Sequence, residues 1–176
     1  TWTNQWFDYA NVALGNNSLY LTTNVFDQND EFLRSLIIRM SLDDLSNALP
    51  LSIDAYYDSS GDVFTFTPVQ GAKDIMYWAS HLTNSEMRIY NWPEDQPWTQ
   101  INSADVVIPA WTPASISGMS CPSPDAYDMC GRADSRITSG WLSNETIGFF
   151  WNADQGGQSV HGATFTWPYI NACLLY

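Results

Sequence analysis

One hairpin pattern occurs three times along the chain, and this repetition limits what the sequence can fold into. Residues 135–152 (SRITSGWLSNETIGFFWN) read as two strands joined by a tight polar turn, and the second strand is rich in aromatic residues. Similar stretches occupy residues 8–26 (DYANVALGNNSLYLTTNVF) and 63–82 (VFTFTPVQGAKDIMYWASHL). Gly and Asn at such turns can take the positive φ that tight hairpins need. The sequence therefore predicts a repeat architecture built from antiparallel strands.

Further strand-like segments follow each hairpin, so the repeating unit is larger than a hairpin. A third and a fourth strand are predicted in each of the first two units, at residues 33–40, 51–57, 86–91 and 103–111. A short helix is predicted after Ser41, because this serine is a favourable N-cap and acidic residues follow it. The third unit continues, after a Gly-rich loop at 153–162, as a single strand at 164–176. We therefore expect the third unit to lack its fourth strand.

The unit boundaries follow from this pattern. The chain reads as a single β domain, 1–176, with approximate units at 6–57, 58–111 and 134–176 and a Pro/Ser-rich loop at 112–133. Four antiparallel strands in about 40–50 residues are typical of a β-propeller blade, and roughly four to eight blades close a ring. We predict an all-β, β-propeller-like array of about three four-stranded blades in an incomplete ring. A β-sandwich is the alternative fold.

The charge of the chain excludes two classes of partner. Nineteen acidic residues against six basic ones give a formal net charge of −13. Such a surface repels phosphate backbones and anionic lipid, so no nucleic acid is expected as a partner. No apolar run reaches the roughly 18 residues that a membrane-spanning helix needs. We interpret the chain as an exported protein after processing, or as an internal fragment, and expect it to be extracellular or on the cell surface.

Cysteines and glycosylation sequons agree with export. Cys121 and Cys130 flank a Pro/Asp-rich loop, and their spacing favours a disulfide over a metal site, since few other Cys or His residues exist. Cys173 has no evident partner within the sequence. Asn16 and Asn144 begin N-glycosylation sequons and fall at the same turn of their units, between the first two strands. We predict an exposed turn at both positions, carrying a glycan.

Aromatic residues outside the predicted strands are candidates for ligand binding. Exposed Trp and Tyr rings can stack on sugars, and Trp92 and Trp98 are the candidates, with His81 as a polar neighbour. Trp78 and Trp151 occupy strand positions and are predicted to be in the core instead. No catalytic residue is assigned, because neither histidine belongs to a recognisable triad and no Gly-x-Ser-x-Gly motif occurs.

An acid-rich loop is the candidate metal site. Asp27, Asn29 and Asp30 supply the oxygen ligands that calcium prefers, and the loop 58–62 is a second candidate. Neither loop has the full twelve-residue calcium-binding pattern, and Asx-type turns use the same residues. No cofactor is therefore expected, with calcium as the alternative.

Three segments resemble the blades of large secreted β-propeller proteins, whose functions are mostly uncharacterised. They are LYLTTNVFDQNDEFLRSLIIRMSLDDL at 19–45, TFTPVQGAKDIMYWASHLTNSEMRIYNW at 65–92 and ADSRITSGWLSNETIGFFWNADQ at 133–155. These segments share two sequence patterns with such blades. One is Ser-Arg-Ile with a Gly further along the strand pair, and the other is Leu-x-x-Thr-x-Asn-x-Phe at the start of a strand pair. The resemblance implies a propeller fold and export, and no catalytic residue can be carried over from it. An Asp/Arg pair, Asp134 and Arg136, is interpreted as a charge pair at a blade junction.

The function expected from these features is binding, adhesion or assembly by an extracellular, non-catalytic protein. A secreted glycoside hydrolase of propeller fold is one alternative, although no pair of acids is singled out as the two facing carboxylates that such an enzyme needs. A structural subunit of a larger assembly is another. The expected partner is a second protein chain that completes or covers the sheet edges, or a glycan.

Overall fold

The strands of the protein form two sheets and make it an all-β molecule. The computed structural model describes residues 3–112, 124–125, 135–155, 158–166 and 173–175. Within these residues one short α-helix and one 3₁₀ turn, Trp98–Gln100, are the helical elements. The part of the chain described contains no helix that is long and apolar enough to cross a membrane.

The first sheet is an antiparallel meander of four strands. In spatial order they are β1 (Gln5–Leu14), β2 (Ser18–Asp27), β3 (Phe32–Ser41) and β4 (Ile53–Tyr57). All four lie where the sequence predicts strands. The predicted helix is also present as α1 (Leu42–Ser46), and the Ser41 side chain accepts a hydrogen bond from the Asp44 amide at 3.2 Å, which is the expected N-cap.

The second sheet is curled and consists of two further meanders. The first meander contains β5 (Thr67–Gln70), β6 (Ile75–Thr83), β7 (Glu86–Pro93) and β8 (Asn102–Val107). The second contains β9 (Ile137–Ser143), β10 (Thr146–Gln155), β11 (Gln158–Thr166) and β12 (Cys173–Leu175). A short parallel pairing of β5 with β9, Val69 opposite Gly140 and Gln70 opposite Trp141, joins them into one eight-stranded sheet.

The expectation that the third unit lacks its fourth strand is wrong. Strand β12 pairs antiparallel with β11, with Cys173 opposite Thr164. The sequence predicts a single strand over 164–176, whereas β11 ends at Thr166 and β12 begins at Cys173. Strand β11 begins at Gln158, inside the segment that was predicted as a loop. Because Pro168 lies between the two strands and cannot donate to a ladder, it is the residue that argues for dividing the run.

The first strand of the second unit is shorter than predicted. A strand was expected over 63–69, but β5 begins only at Thr67. Thr65 has a φ of 67°, in the left-handed region, which ends an extended run. Its side chain and amide are bonded to Asn24 and Ser35 of the first sheet instead of to a neighbouring strand.

The first strands of the three meanders lie side by side, with β5 between β1 and β9. The Gln70 side chain donates a hydrogen bond to the Val12 carbonyl at 2.8 Å. On the other side, the Thr67 hydroxyl donates to the Ile137 carbonyl at 2.7 Å. These contacts bring together the starting strands of all three units, from which the later strands of each meander lead away.

Large aromatic side chains fill the core. Trp78 and Trp151 are fully buried, as predicted, and Trp78 stacks on Tyr90 with ring centroids 5.1 Å apart. Each such ring removes a large apolar area from water, and offset or edge contacts between rings add to this stabilisation. The aromatic strands of the repeated hairpins, β6 and β10, therefore provide the interior of the second sheet.

Candidate ligand-binding site

Trp92 is removed from the candidate ligand-binding residues by its burial. Its side chain is fully buried, its Nε1 donates a hydrogen bond to the Gln96 carbonyl at 3.0 Å, and the Arg39 guanidinium lies 4.3 Å from its ring centroid. A ring enclosed in this way has no face left for a sugar. Sequence reasoning placed Trp92 after the strand because of Pro93, whereas β7 continues through both residues. Trp98, in the 3₁₀ turn, is exposed.

His81 lies beside a cavity of about 420 Å³, and this cavity is the candidate site. Three stretches of chain line it: Phe64 before β5, His81 to Asn84 at the end of β6, and Ser135 to Ile137 at the start of β9. Trp111, which follows β8, completes the wall. The volume falls in the range of about 300–1,000 Å³ that is typical of small-molecule sites.

Trp111 is held in place by the turn between β6 and β7. Its backbone amide donates to the Asn84 carbonyl at 3.0 Å, and the Asn84 side chain donates back to the Trp111 carbonyl at 3.1 Å. The Ile108 amide donates to the Ser85 carbonyl at 2.9 Å. These bonds hold the backbone of the segment after β8 against the turn. They therefore fix the position of Trp111 in the wall of the cavity.

Three rings meet behind the cavity. The His81 ring lies 4.8 Å from the Trp111 ring and 4.9 Å from the Trp151 ring, and the two indoles are 5.9 Å apart. Burial lowers the pKa of His81 to about 4, so its imidazole is neutral at physiological pH, with one donor and one acceptor nitrogen. The sequence analysis selected His81 but not Trp111, for which the available signal was a Trp at the end of the strand predicted over 103–111.

The nitrogens of this ring cluster lack hydrogen-bond partners. Both ring nitrogens of His81 and the Nε1 atoms of Trp111 and Trp151 are buried, and none of them is hydrogen-bonded in the part of the chain that the structure describes. A buried polar group without a partner costs about 1–3 kcal/mol. These nitrogens are enclosed by the packing of the three rings, so they do not face the cavity and a molecule held in it does not reach them.

Arg136 connects the cavity to the first sheet. Its guanidinium lies 3.2 Å from the ring centroid of Tyr9 in β1 and 5.4 Å from that of Phe64. This is a cation–π contact between the first and third units, next to the cavity. The charge pair predicted between Arg136 and Asp134 involves a residue outside the described part of the chain.

The predicted metal loop uses Asp27 for its own turn. The Asp27 carboxylate accepts hydrogen bonds from the backbone amides of Asn29 at 2.7 Å and Glu31 at 3.0 Å, and from the Asn29 side chain at 3.2 Å. These bonds, led by the one from Glu31, lower the pKa of Asp27. Asp30 takes the left-handed conformation of this turn, with a φ of 65°. Among the described residues, no group of three or more Asp, Glu, His or Cys side chains is placed to hold a metal ion.

The second candidate calcium loop is occupied by an ion pair. Asp58 accepts hydrogen bonds from Arg88 at 3.1 Å and from the Tyr90 hydroxyl at 2.5 Å, and Arg88 also pairs with Asp105. Burial by itself would raise the pKa of Asp58, but hydrogen bonds from Ser60, Tyr90 and Arg88 outweigh it and lower the pKa to about 2.

A second cavity, of about 620 Å³, borders Asp58 and lies between β3, β4 and the following loop.

Both sequons occupy the predicted turns. Asn16 lies between β1 and β2 and Asn144 between β9 and β10, and both residues are exposed. The Asn16 side-chain nitrogen donates to Asp74 at 2.6 Å, whereas Asn144 has a φ of 46° in a tight turn. The shared exposed position is confirmed, and glycosylation itself stays a prediction.

Cys121 and Cys130, the predicted disulfide, lie outside the described residues.

No protein-family model matches this chain, and no curated protein matches it. The geometry of the cavity, the arrangement of the strands and the surface of the sheets therefore carry the argument about function.

Proposed function

We propose that this chain is an exported, non-catalytic binding and assembly protein with a β-propeller-like scaffold. Three antiparallel meanders in sequence order, with the starting strands β1, β5 and β9 next to one another, support this scaffold. The similarity of three segments to blades of secreted propeller proteins supports it as well. The partner that completes the array is a second copy of this chain.

The surface of β1 is the observation that carries the proposal. Five large apolar side chains of this ten-residue strand are exposed, and we call them the β1 surface: Trp6, Phe7, Tyr9, Val12 and Leu14. Single exposed apolar residues are common on proteins, but a concentration of them marks an interaction site. In the part of the chain described, β1 forms a ladder with β2 alone, and its other edge lies beside β5, whose Gln70 side chain donates to the Val12 carbonyl.

The contact at β1 is expected to involve side chains more than the backbone. A bulge between Asp8 and Asn11 interrupts the strand, and Tyr9 within it has a φ of 59°. Bulges of this kind discourage the regular addition of a strand to a sheet edge. A partner on the β1 surface therefore contacts side chains on both faces of the strand, because the consecutive residues Trp6 and Phe7 point to opposite faces.

The mass of the protein in solution tests the proposal. We expect light scattering on the purified chain to give a dimer or a larger species, because an isolated chain would leave the β1 surface in water. The variant Val12→Lys should shift the mass toward that of a monomer, since it places a charge in the contact. Leu49→Lys is the matched control, because Leu49 is 49% exposed and Val12 50% exposed, and Leu49 lies outside every strand.

Two results would contradict the proposal. A stable monomer at every protein concentration would show that the β1 surface does not bind a second copy of this chain. Release of sugars from a panel of glycans by the purified protein would contradict its non-catalytic part and favour the glycoside hydrolase alternative.

A further inference from the structure

The two faces of the first sheet point in different directions. One face packs on the second sheet: the Tyr20 ring contacts the Trp92 ring edge-on, and the Thr22 hydroxyl donates to the Phe66 carbonyl at 2.9 Å. Neighbouring residues of a strand point to opposite faces of a sheet. The side chains on either side of Tyr20 and Thr22 in β2 therefore point away from the second sheet.

Apolar side chains cross this outward-pointing face in rows that span all four strands. Residues directly opposite each other in paired strands share one face of the sheet. The first row is Leu14, Leu19, Met40 and Ile53, and the second row is Val12, Leu21, Ile38 and Ala55. We call these eight residues the outer face. None of them carries a charge, each keeps some surface exposed, and Ile53 is 55% exposed.

The extent of this apolar surface is close to what a stable interface needs. A third row continues it with Thr23, Leu36 and Tyr57, of which Tyr57 is exposed. Four strands about 4.8 Å apart and three rows about 7 Å apart give a flat area on the order of 400 Å². The relief of the side chains adds to this area, so two such surfaces bury close to the roughly 1,000 Å² in total that a specific interface requires.

The charge of the chain indicates what covers the outer face. Nineteen acidic residues leave most other surfaces of a second copy unsuited to contact with this chain. Two outer faces can meet without bringing any acidic side chain of the two rows into the contact. The outer face is also continuous with the β1 surface, because Val12 and Leu14 belong to both.

We propose that two copies of this chain pack their outer faces against each other, sheet on sheet, around a two-fold axis. Sheets packed face to face lie about 10 Å apart, and their side chains interdigitate. The same face is used by both copies, so the contact closes at a dimer. This inference rests on the proposed function and deepens it, since it extends the contact from β1 across the sheet to β4 and sets the number of copies at two.

Charges placed on β4 test this extension, because β4 and β1 are at opposite edges of the first sheet. Ile53→Lys places a charge in the first row, and Ala55→Lys places one in the second. Each should raise the dimer dissociation constant, measured by sedimentation equilibrium, about a hundredfold, because an unpaired charge is buried in the contact. Val107→Lys is the control and should leave it unchanged, since Val107 is 75% exposed and ends β8, the edge strand of the second sheet.

Methyl NMR on the unaltered protein gives a readout that does not depend on the folding of any variant. On dilution from dimer to monomer, the Met40 methyl signal should shift, because Met40 lies in the first row of the outer face. The methyl signals of Met76 and Met87 are the internal control and should stay in place, since both residues are fully buried in the core. Dimerisation without a change at Met40 would overturn the proposal.

The mass and the variants together separate this inference from the proposed function. We expect a species of twice the 19.8 kDa chain and none larger. Dissociation by Val12→Lys but by neither β4 variant would confine the contact to β1, which rejects the outer face and leaves the proposed function standing. Species larger than a dimer would rule out pairing of the same face.

A monomer at every concentration would reject both proposals. If that monomer bound uncharged phosphatidylcholine vesicles, and Ile53→Lys abolished the binding, the outer face would be a lipid contact and the second copy would be the wrong occupant.

Discussion

Asn24 ties the first sheet to the chain that leaves it. Its side-chain nitrogen donates to the Thr65 hydroxyl at 2.7 Å, and its oxygen accepts from the Ser35 hydroxyl at 2.9 Å and the Thr65 amide at 3.1 Å. All three residues are buried. This asparagine belongs to the Leu-x-x-Thr-x-Asn-x-Phe pattern on which the resemblance rests. In this chain its side chain joins the first sheet to the segment before β5 through buried hydrogen bonds.

Replacing Asn24 by Ala should lower the free energy of unfolding by about 2–3 kcal/mol, because buried partners are left without bonds. The measurement is urea-induced unfolding followed by fluorescence. Asn102→Ala, at an exposed position, is the control and should change stability by about 0.5 kcal/mol or less. Equal effects of the two substitutions would contradict a stabilising role for the buried network.

Asp58 makes the stability of the protein depend on pH in the acid range. Its pKa is lowered from 3.8 in the unfolded chain to about 2 in the folded protein. The folded state therefore gains stability from the Asp58 carboxylate above pH 4, and this gain is lost as the pH falls through 2. Arg88 and Tyr90, which hold the carboxylate, come from β7, which lies between β6 and β8.

The variant Asp58→Asn should be less stable than the wild type at pH 7 and should show a smaller loss of stability between pH 4 and pH 2. The free energy of unfolding, measured in urea at a series of pH values, gives both quantities. Parallel curves for the two proteins would show that the Asp58 carboxylate is not the source of the acid dependence.

At the scale of elements, the turn after β5 controls the joint between the second and third units. Gly71 has a φ of 84°, and a Cβ at this position would lie 2.7 Å from the Leu142 carbonyl oxygen. The preceding residue, Gln70, pairs with Trp141 across the parallel β5–β9 contact. A side chain at Gly71 therefore meets both an unfavourable backbone conformation and the neighbouring strand.

We expect Gly71→Ala to lower the free energy of unfolding by about 2–4 kcal/mol, because backbone strain and the clash add. Gly61→Ala is a matched control, since Gly61 has a φ of 81° and open space around its Cβ position. It should cost only the strain, about 1–2 kcal/mol. Equal losses would mean that the close approach of β5 to β9 contributes nothing measurable.

Local signals in the sequence were sufficient for most elements of the fold. Strand alternation, turn residues and the Ser41 cap predicted the antiparallel hairpins and α1, because these depend on neighbours in the chain. The parallel pairing of Val69 with Gly140 could not be predicted in this way, since the two residues are far apart in sequence. The sequence does not predict β12 as a separate strand, because strand-forming residues continue from Thr164 to the end of the chain.

The candidate site was predictable only in part, for the same reason. His81 stood out as one of two histidines, but its neighbours in space, Trp111 and Trp151, come from distant strands and their surroundings. The burial of Trp92 was hidden by Pro93, which usually argues against a strand. Whether a tryptophan is buried or exposed depends on the packing of whole sheets, and the sequence around it gives little information about that.

For the whole molecule, the contrast between charge and the β1 surface is the central feature. The chain is strongly acidic, with a formal net charge of −13, yet one ten-residue strand exposes five large apolar side chains. Charge keeps such a molecule soluble, whereas a localised apolar surface favours specific contact. A partner bound at β1 would remove its apolar side chains from water and leave the acidic remainder of the surface exposed.

Hydroxyl-radical footprinting read by mass spectrometry tests this claim most directly. Trp6, on the β1 surface, is 41% exposed, and Trp98, far from β1 in the chain, is 51% exposed, so the two indoles are comparable in an isolated chain. If β1 is covered by a partner, Trp6 should be oxidised much more slowly than Trp98 at high protein concentration, and the Val12→Lys substitution should remove this protection. Comparable oxidation of Trp6 and Trp98 at every concentration would contradict the account.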